Sequence, residues 1–229
     1  MRAIDVMTST VVSVTSNVAV MEVARLMLDR GVSAVPVVDA DGKLIGMVSE
    51  GDLMRRKETG TERHHPWWLR AFTDTEDLAK EYIKSHAMKA KDVMTTNVVS
   101  VSETTPLSEI ADLLEKHRIK RVPVVRDGRV IGIVSRANLV QALAIGRSVN
   151  VEPPSLDDHT IREKIMAELA GQPWGYLGTA NVIVASGVVH LWGMVRSSEE
   201  RDAIRVAAEN IPGVRRVENH LSLRGSTLY

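Results

Sequence analysis

Few side chains in this 229-residue chain are arranged to do chemistry, and those that are point to binding. Ser49 and Asp52 place a hydroxyl and a carboxylate three positions apart, where an apolar strand gives way to a helix. Such a junction favours anions, because the first helical N–H groups are free and the helix dipole is positive there. Ser135 and Asn138 repeat the spacing with a carboxamide in place of the carboxylate. A carboxylate beside a hydroxyl is binding chemistry. No Ser-His-Asp order, His-Glu-x-x-His motif or phosphate loop accompanies it, so no enzyme is expected. The chain has no cysteine, which removes disulfides, thiolate metal sites and cysteine nucleophiles together. His64, His65 and His86 invite a metal reading, but neighbouring histidines point in different directions and no carboxylate sits at ligand spacing. His190, alone on a strand, reads as a surface or packed histidine. No metal and no obligatory cofactor are expected.

The elements that position these residues come in two copies. Asp5-Val6-Met7-Thr8 recurs 87 positions later as Asp92-Val93-Met94-Thr95, and Val11-Val12-Ser13-Val14 as Val98-Val99-Ser100-Val101. Val35-Pro36-Val37-Val38 returns as Val122-Pro123-Val124-Val125. After a one-residue deletion, Asp41-Gly42 matches Asp127-Gly128, and Gly46-Met47-Val48-Ser49 matches Gly132-Ile133-Val134-Ser135. Each copy reads as β-α-β-β-α. Leu107, Ile110, Ala111 and Leu114 share one helical face. Thr105 and Pro106 suit an N-cap and a first helical position. Asp-Gly signals a hairpin between two apolar strands. A unit this small holds no full core alone, so the two are expected to bury their sheets together as one α/β module.

Gly46-Met47-Val48-Ser49-Glu50-Gly51-Asp52 resembles the Gly-x-x-Ser/Thr-x-x-Asp signature of CBS domains. With the Val-Pro-Val-Val strand and the Asp-Val-Met-Thr opening, the resemblance covers repeat one at 1–58 and repeat two at 87–148. It implies a regulatory protein whose paired repeats bind an adenosyl ligand, such as AMP, ADP, ATP, S-adenosylmethionine or NAD, commonly as a homodimer. In this resemblance Asp52 accepts the two ribose hydroxyls and Ser49 bonds ribose or phosphate. Met47 and Pro123 belong to the same main site, Val98 and Val99 supply the base contacts, and Lys120 and Arg121 the phosphate contacts. The second site, with Thr8, Val11, Val12, Ile133, Ser135 and Asn138, departs from the pattern. Asn138 brings no charge, and Ser33 and Ala34 replace the two cations, so this site is expected to be empty, weaker or suited to an uncharged adenosyl group.

Residues 59–86 belong to neither copy. Trp67-Trp68 reads as an interface anchor or an edge seal, and Thr73–Ser85 as a helix with Leu78, Tyr82 and Ile83 inward. A linker spans 149–154. Beyond it Ile161, Ile165 and Leu169, a hairpin through Ser186-Gly187, the capping box Ser197-x-x-Glu200 and a last strand give α-β-β-α-β over 155–225. Gly187-Val188-Val189-His190-Leu191-Trp192-Gly193 with Ile211-Pro212-Gly213-Val214 resembles a BON domain, which implies binding to phospholipid surfaces or other macromolecules. Lys plus Arg and Asp plus Glu are 29 each, so no bulk field attracts nucleic acid. No signal-like or membrane-spanning stretch is present, and a cytoplasmic protein is expected. The leading expectation is an adenosyl-ligand sensor coupled to the BON module. The alternative is a scaffold that binds no ligand and docks a protein or a phospholipid surface through the BON domain and the Trp pair.

Overall fold

The computed structural model describes residues 1–54, 56–61, 75–146, 156–175 and 181–224. The Trp67-Trp68 pair, His64, His65 and the 149–154 linker lie outside the described residues, as does the side chain of Leu78.

In repeat one a short helix α1 (Ala3–Val6) precedes β1 (Val14–Thr15), α2 (Val20–Arg30), β2 (Ala34–Val38), β3 (Leu44–Ser49) and α3 (Glu50–Leu53). The insertion supplies α4 (Thr75–His86). Repeat two follows with α5 (Ala90–Val93), β4 (Val101–Ser102), α6 (Leu107–Lys116), β5 (Arg121–Arg126), β6 (Arg129–Ser135) and α7 (Arg136–Gly146). The β-branched runs of β2 and β5 are buried almost throughout, as expected of strands covered on both faces. In both copies the short opening strand runs parallel to the Val-Pro-Val-Val strand, Val14 against Val37 and Val101 against Val124. The one-residue deletion has a local meaning. Asp127 and Gly128 both take positive φ (52° and 79°), a two-residue turn that Asp-Gly suits, whereas in repeat one Asp39 caps a longer loop through Asp41 N and Lys43 N.

The chain forms two compact units whose borders cut across the repeats. One contains Val12–Val98 with Gly128–Val130; the other contains Met1–Val11, Val99–Asp127 and Ile131 onwards. The opening segment of each repeat thus completes the other repeat's unit. Met47 and Thr95 exchange backbone hydrogen bonds at 2.9 Å in the first unit, as do Thr8 and Ile133 at 2.9 and 3.0 Å in the second. The signature glycines explain the closeness. A Cβ on Gly46 would lie 2.8 Å from Met94 Cγ and 3.2 Å from Thr95 O, and one on Gly132 would lie 2.8 Å from Met7 Cγ. The Met of one repeat fills the notch left by the glycine of the other.

The C-terminal module is α8 (Leu156–Ala170), β7 (Asn181–Ala185), β8 (Val188–Val195), α9 (Ser198–Glu209) and β9 (Arg216–Leu223). β8 is central, antiparallel to β7 and parallel to β9. Ile161, Ile165 and Leu169 are buried against Val182, Val184, Val189, Leu191 and Ile204. Ser197 Oγ accepts the Glu200 N–H, the capping contact expected from the spacing. Ile183 and Ala185, on the other face of the sheet, join the core of repeat two with Ala3, Val6, Val122 and Val134, and Trp192 packs against it.

Two local expectations need correction. Tyr82 and Ile83 are exposed (63% and 48%), and Tyr82 stacks on the His86 ring at 4.0 Å instead of entering the core. At α6 the N-cap is Pro106, one residue later than the pattern suggests. Thr105 instead turns its hydroxyl to the Ser102 N–H at 3.1 Å and is buried there.

Candidate functional site

The junction of β3 and α3 carries the first signature. Ser49 is the N-cap of α3, and its own N–H and hydroxyl both donate to Asp52 Oδ2, at 3.0 and 2.7 Å. That leaves Asp52 Oδ1 facing outward, where Lys84 Nζ reaches it at 2.7 Å from α4. The lysine side chain is half exposed (48%) and the carboxylate mostly covered (10%). Lys84 is positioned from behind. The buried Arg56 guanidinium donates to Lys84 O at 2.9 Å and Ala87 O at 2.8 Å, at the carbonyl end of α4, and pairs with Glu58. Cations satisfy the open carbonyls of a helix C-terminus in this way. The Arg56 hydrogen bonds hold the Glu58 carboxyl below its usual range. Arg56 and Lys84 were not among the residues singled out from sequence, since nothing in their spacing ties the insertion to the signature.

The remaining residues expected around Asp52 are distributed over both units. Met47 pairs with Thr95, Pro36 stands opposite Met47, and Val98 lies at the end of the same unit. Val99, Lys120, Arg121 and Pro123 belong to the other unit. There Val99 packs on the core, the Lys120 carbonyl accepts the Arg136 N–H at 3.1 Å, Arg121 opens β5, and Pro123 is buried within it.

The second signature is built alike but closed. Asn138 Oδ1 accepts the N–H and hydroxyl of Ser135, each at 2.7 Å, and Nδ2 donates to Val6 O at 3.1 Å. The side chain is 4% exposed. The C-terminal module closes over this place. Asn181 Nδ2 donates to the same Val6 carbonyl at 2.7 Å and to Gln141 at 3.1 Å. Arg162 of α8 donates from Nη2 to Met7 O at 2.7 Å and Ser9 Oγ at 3.1 Å, and from Nε to Val182 O at 2.8 Å. Burial pushes the Arg162 guanidinium down to about 10. His159 approaches the buried Asp5 carboxylate at 3.3 Å. Of the other second-site residues, Thr8 pairs with Ile133 and Val11 lies in the same unit. Val12, Ser33 and Ala34 belong to the first unit, where Ala34 is buried opposite Ser49 and Ser33 O accepts the Glu50 N–H at 3.0 Å.

His190 is also buried, and its partners were invisible to local sequence reading. β8 and β9 run in register with His190 beside Glu218 and Trp192 beside His220. Desolvation lowers the His190 pKa, which Glu218 opposes.

Fold and site together define a pair of repeats with binding signatures at their strand–helix junctions, joined to a small α-β-β-α-β module. The CBS domain family matches residues 3–58 and 90–145, and the BON domain family matches residues 157–225. An uncharacterized protein of Methanocaldococcus jannaschii is 32% identical over 134 residues, 54% of this chain and 80% of that protein. The chloroplastic CBS domain-containing protein CBSX1 of Arabidopsis thaliana is 32% identical over 56% of this chain and 57% of its own length. The chain belongs to the CBS-domain family and carries a BON domain after the CBS pair. A crystal structure of CBSX2 in complex with AMP matches with TM-score 0.56 and 29% identity, covering 64% of this chain and 98% of that one. The chain spans about half the length of several relatives it matches; L-aspartate semialdehyde sulfurtransferase of M. jannaschii is covered over 22%. Among the described residues no helix is long and apolar enough to cross a membrane.

Proposed function

We propose that this protein is a non-catalytic regulator that binds one adenosyl ligand at the Asp52 signature, and that Lys84 is the group the ligand replaces. The carrying observation is the asymmetry of the two signatures. Asp52 keeps one carboxylate oxygen for a half-exposed cation, whereas Asn138 has no group left to offer. An ion pair with a half-exposed lysine is worth about 0.2–1 kcal/mol, so a ribose that offers two hydroxyls can displace it. A ligand shifts a protein only by preferring one arrangement over another. Taking Oδ1 from Lys84 would break the side-chain tie between α3 and α4, which gives binding a structural output. The AMP complex of CBSX2 supports the ligand class.

The test is calorimetric titration of the intact protein with AMP, ATP, S-adenosylmethionine and NAD. One equivalent should bind, Asp52→Ala should abolish binding and Asn138→Ala should leave the stoichiometry at one. Lys84→Ala should tighten binding by up to about five-fold, the ion-pair energy converted to affinity. Two equal sites, or loss on Asn138→Ala but not on Asp52→Ala, would overturn the proposal. No binding by any of the four would favour the scaffold reading, with the BON domain as the part that docks a partner.

A further inference from the structure

We propose that His190, Glu218 and His220 form a binding site for a divalent transition-metal cation of the zinc class on the BON sheet. Parallel strands in register bring the three side chains to one face, since His190 stands beside Glu218 and Glu218 and His220 are two residues apart. His190 Nδ1 lies 3.5 Å from Glu218 Oε2, and His220 Nε2 lies 3.7 Å from the same oxygen. One donor atom from each of the three residues falls within 4.8 Å of the other two. A tetrahedral zinc ion with ligands at about 2.0–2.1 Å sets its donor atoms roughly 3.3–3.4 Å apart. Two edges of the triangle already approach that length, and a small shift of the more exposed His220 within its ring plane closes the third.

A second observation points to a ligand. His190 Nδ1 is buried, its side chain 6% exposed, and it has no hydrogen-bond partner among the described residues. A buried polar atom left in this state is costly, and a metal bond at that nitrogen would remove the cost. The neighbours suit the role. Arg216 holds Glu218 through Oε1, which leaves Oε2 toward the imidazoles. Trp192 stacks on the His220 ring at 4.0 Å and fixes its plane. Two imidazoles and one carboxylate select zinc, cobalt, nickel or copper over magnesium and calcium, which prefer oxygen donors throughout. Three protein ligands leave a fourth position for water or for a group brought by a partner.

The experiment uses the full untagged chain, stripped with chelator and titrated with Co²⁺ alone and then with Zn²⁺ as competitor. The expected result is one equivalent of Co²⁺ with visible tetrahedral absorption, displaced by Zn²⁺, and quenching of Trp fluorescence that Trp192→Phe removes. Glu218→Gln and His220→Ala, both at partly exposed positions, should each weaken binding at least ~10-fold with an unchanged circular-dichroism spectrum. A double variant His64→Ala/His65→Ala should bind as the parent does. Absence of Co²⁺ and Zn²⁺ binding would overturn the proposal. So would binding that survives both Glu218→Gln and His220→Ala, or that disappears with His64 and His65.

Discussion

Replacing Arg162 by methionine tests how the BON domain is joined to repeat two. The guanidinium is buried and makes three hydrogen bonds, to Met7 O, Ser9 Oγ and Val182 O. Burial pushes its pKa down to about 10 against the pull of Asp5 and Glu163, a net penalty on the charge of a few kcal/mol. Hydrogen bonds from a charged donor contribute about 1.5–3 kcal/mol each, so the three outweigh that cost. Arg162→Met relieves the burial cost but strips the donor from two buried carbonyls. The expected net loss is about 2–4 kcal/mol. Arg162→Lys should recover only part of it, since one ammonium does not span three acceptors set for a planar fork. Urea unfolding followed by circular dichroism is the assay. The loss should fall on the transition of the unit that holds repeat two and the BON domain, with the Val12–Val98 unit unmoved. A change below about 0.5 kcal/mol, the size of an ordinary surface substitution, would refute the reasoning, as would an equal drop in both transitions.

Gly46→Ala should cost about 1–3 kcal/mol by overpacking against Met94, and combining it with Met94→Ala should cost less than the two separate losses together; a double-variant cycle in thermal unfolding checks this. Asp158 accepts the N–H groups of Ser186 and Gly187 at the β7–β8 turn, at 2.9 and 2.8 Å. Asp158→Ala should therefore lower stability by about 2–4 kcal/mol, read from the urea midpoint, because two amide donors lose a charged acceptor. Asn181→Ala should be milder than Asn138→Ala, by about 1 kcal/mol or more, since Asn138 also satisfies Ser135; equal losses in thermal unfolding would contradict this ranking. Arg56→Ala should expose the end of α4 to faster amide exchange at Lys84–Ala87.

The sequence made the repeated architecture legible because both copies keep their punctuation: Asp-Gly at the turn, Pro in the buried strand, Gly-x-x-Ser at the junction. Periodicity also placed α8 on its buried face, and α6 in part: Ile110 and Leu114 are buried, but Ala111 is exposed. What stayed hidden were contacts between residues far apart in the chain. Lys84 reaches Asp52 over 32 positions, and Asn181 reaches Val6 over 175. His190 looked isolated because its partners sit on a strand 28 and 30 positions later. Tyr82 departs from the expectation that an aromatic on a helix seeks the core, since it stays exposed and stacks on the His86 ring. The burial of Asn138 was equally unreadable, since it depends on how the BON domain docks.

The crossing of the opening segments also sets an order in time. On a ribosome adding about 5–20 residues per second, Val12–Val98 emerges as one stretch and can begin to fold early. Met7 must wait for Gly132, and Met7 O and Val6 O wait longer, for Arg162 and Asn181. Residues 1–11 are thus made well before most of their unit and are among the last of it to find their place. A deletion within Met1–Val11 should show its damage in the unit that holds repeat two and the BON domain, with the Val12–Val98 unit spared.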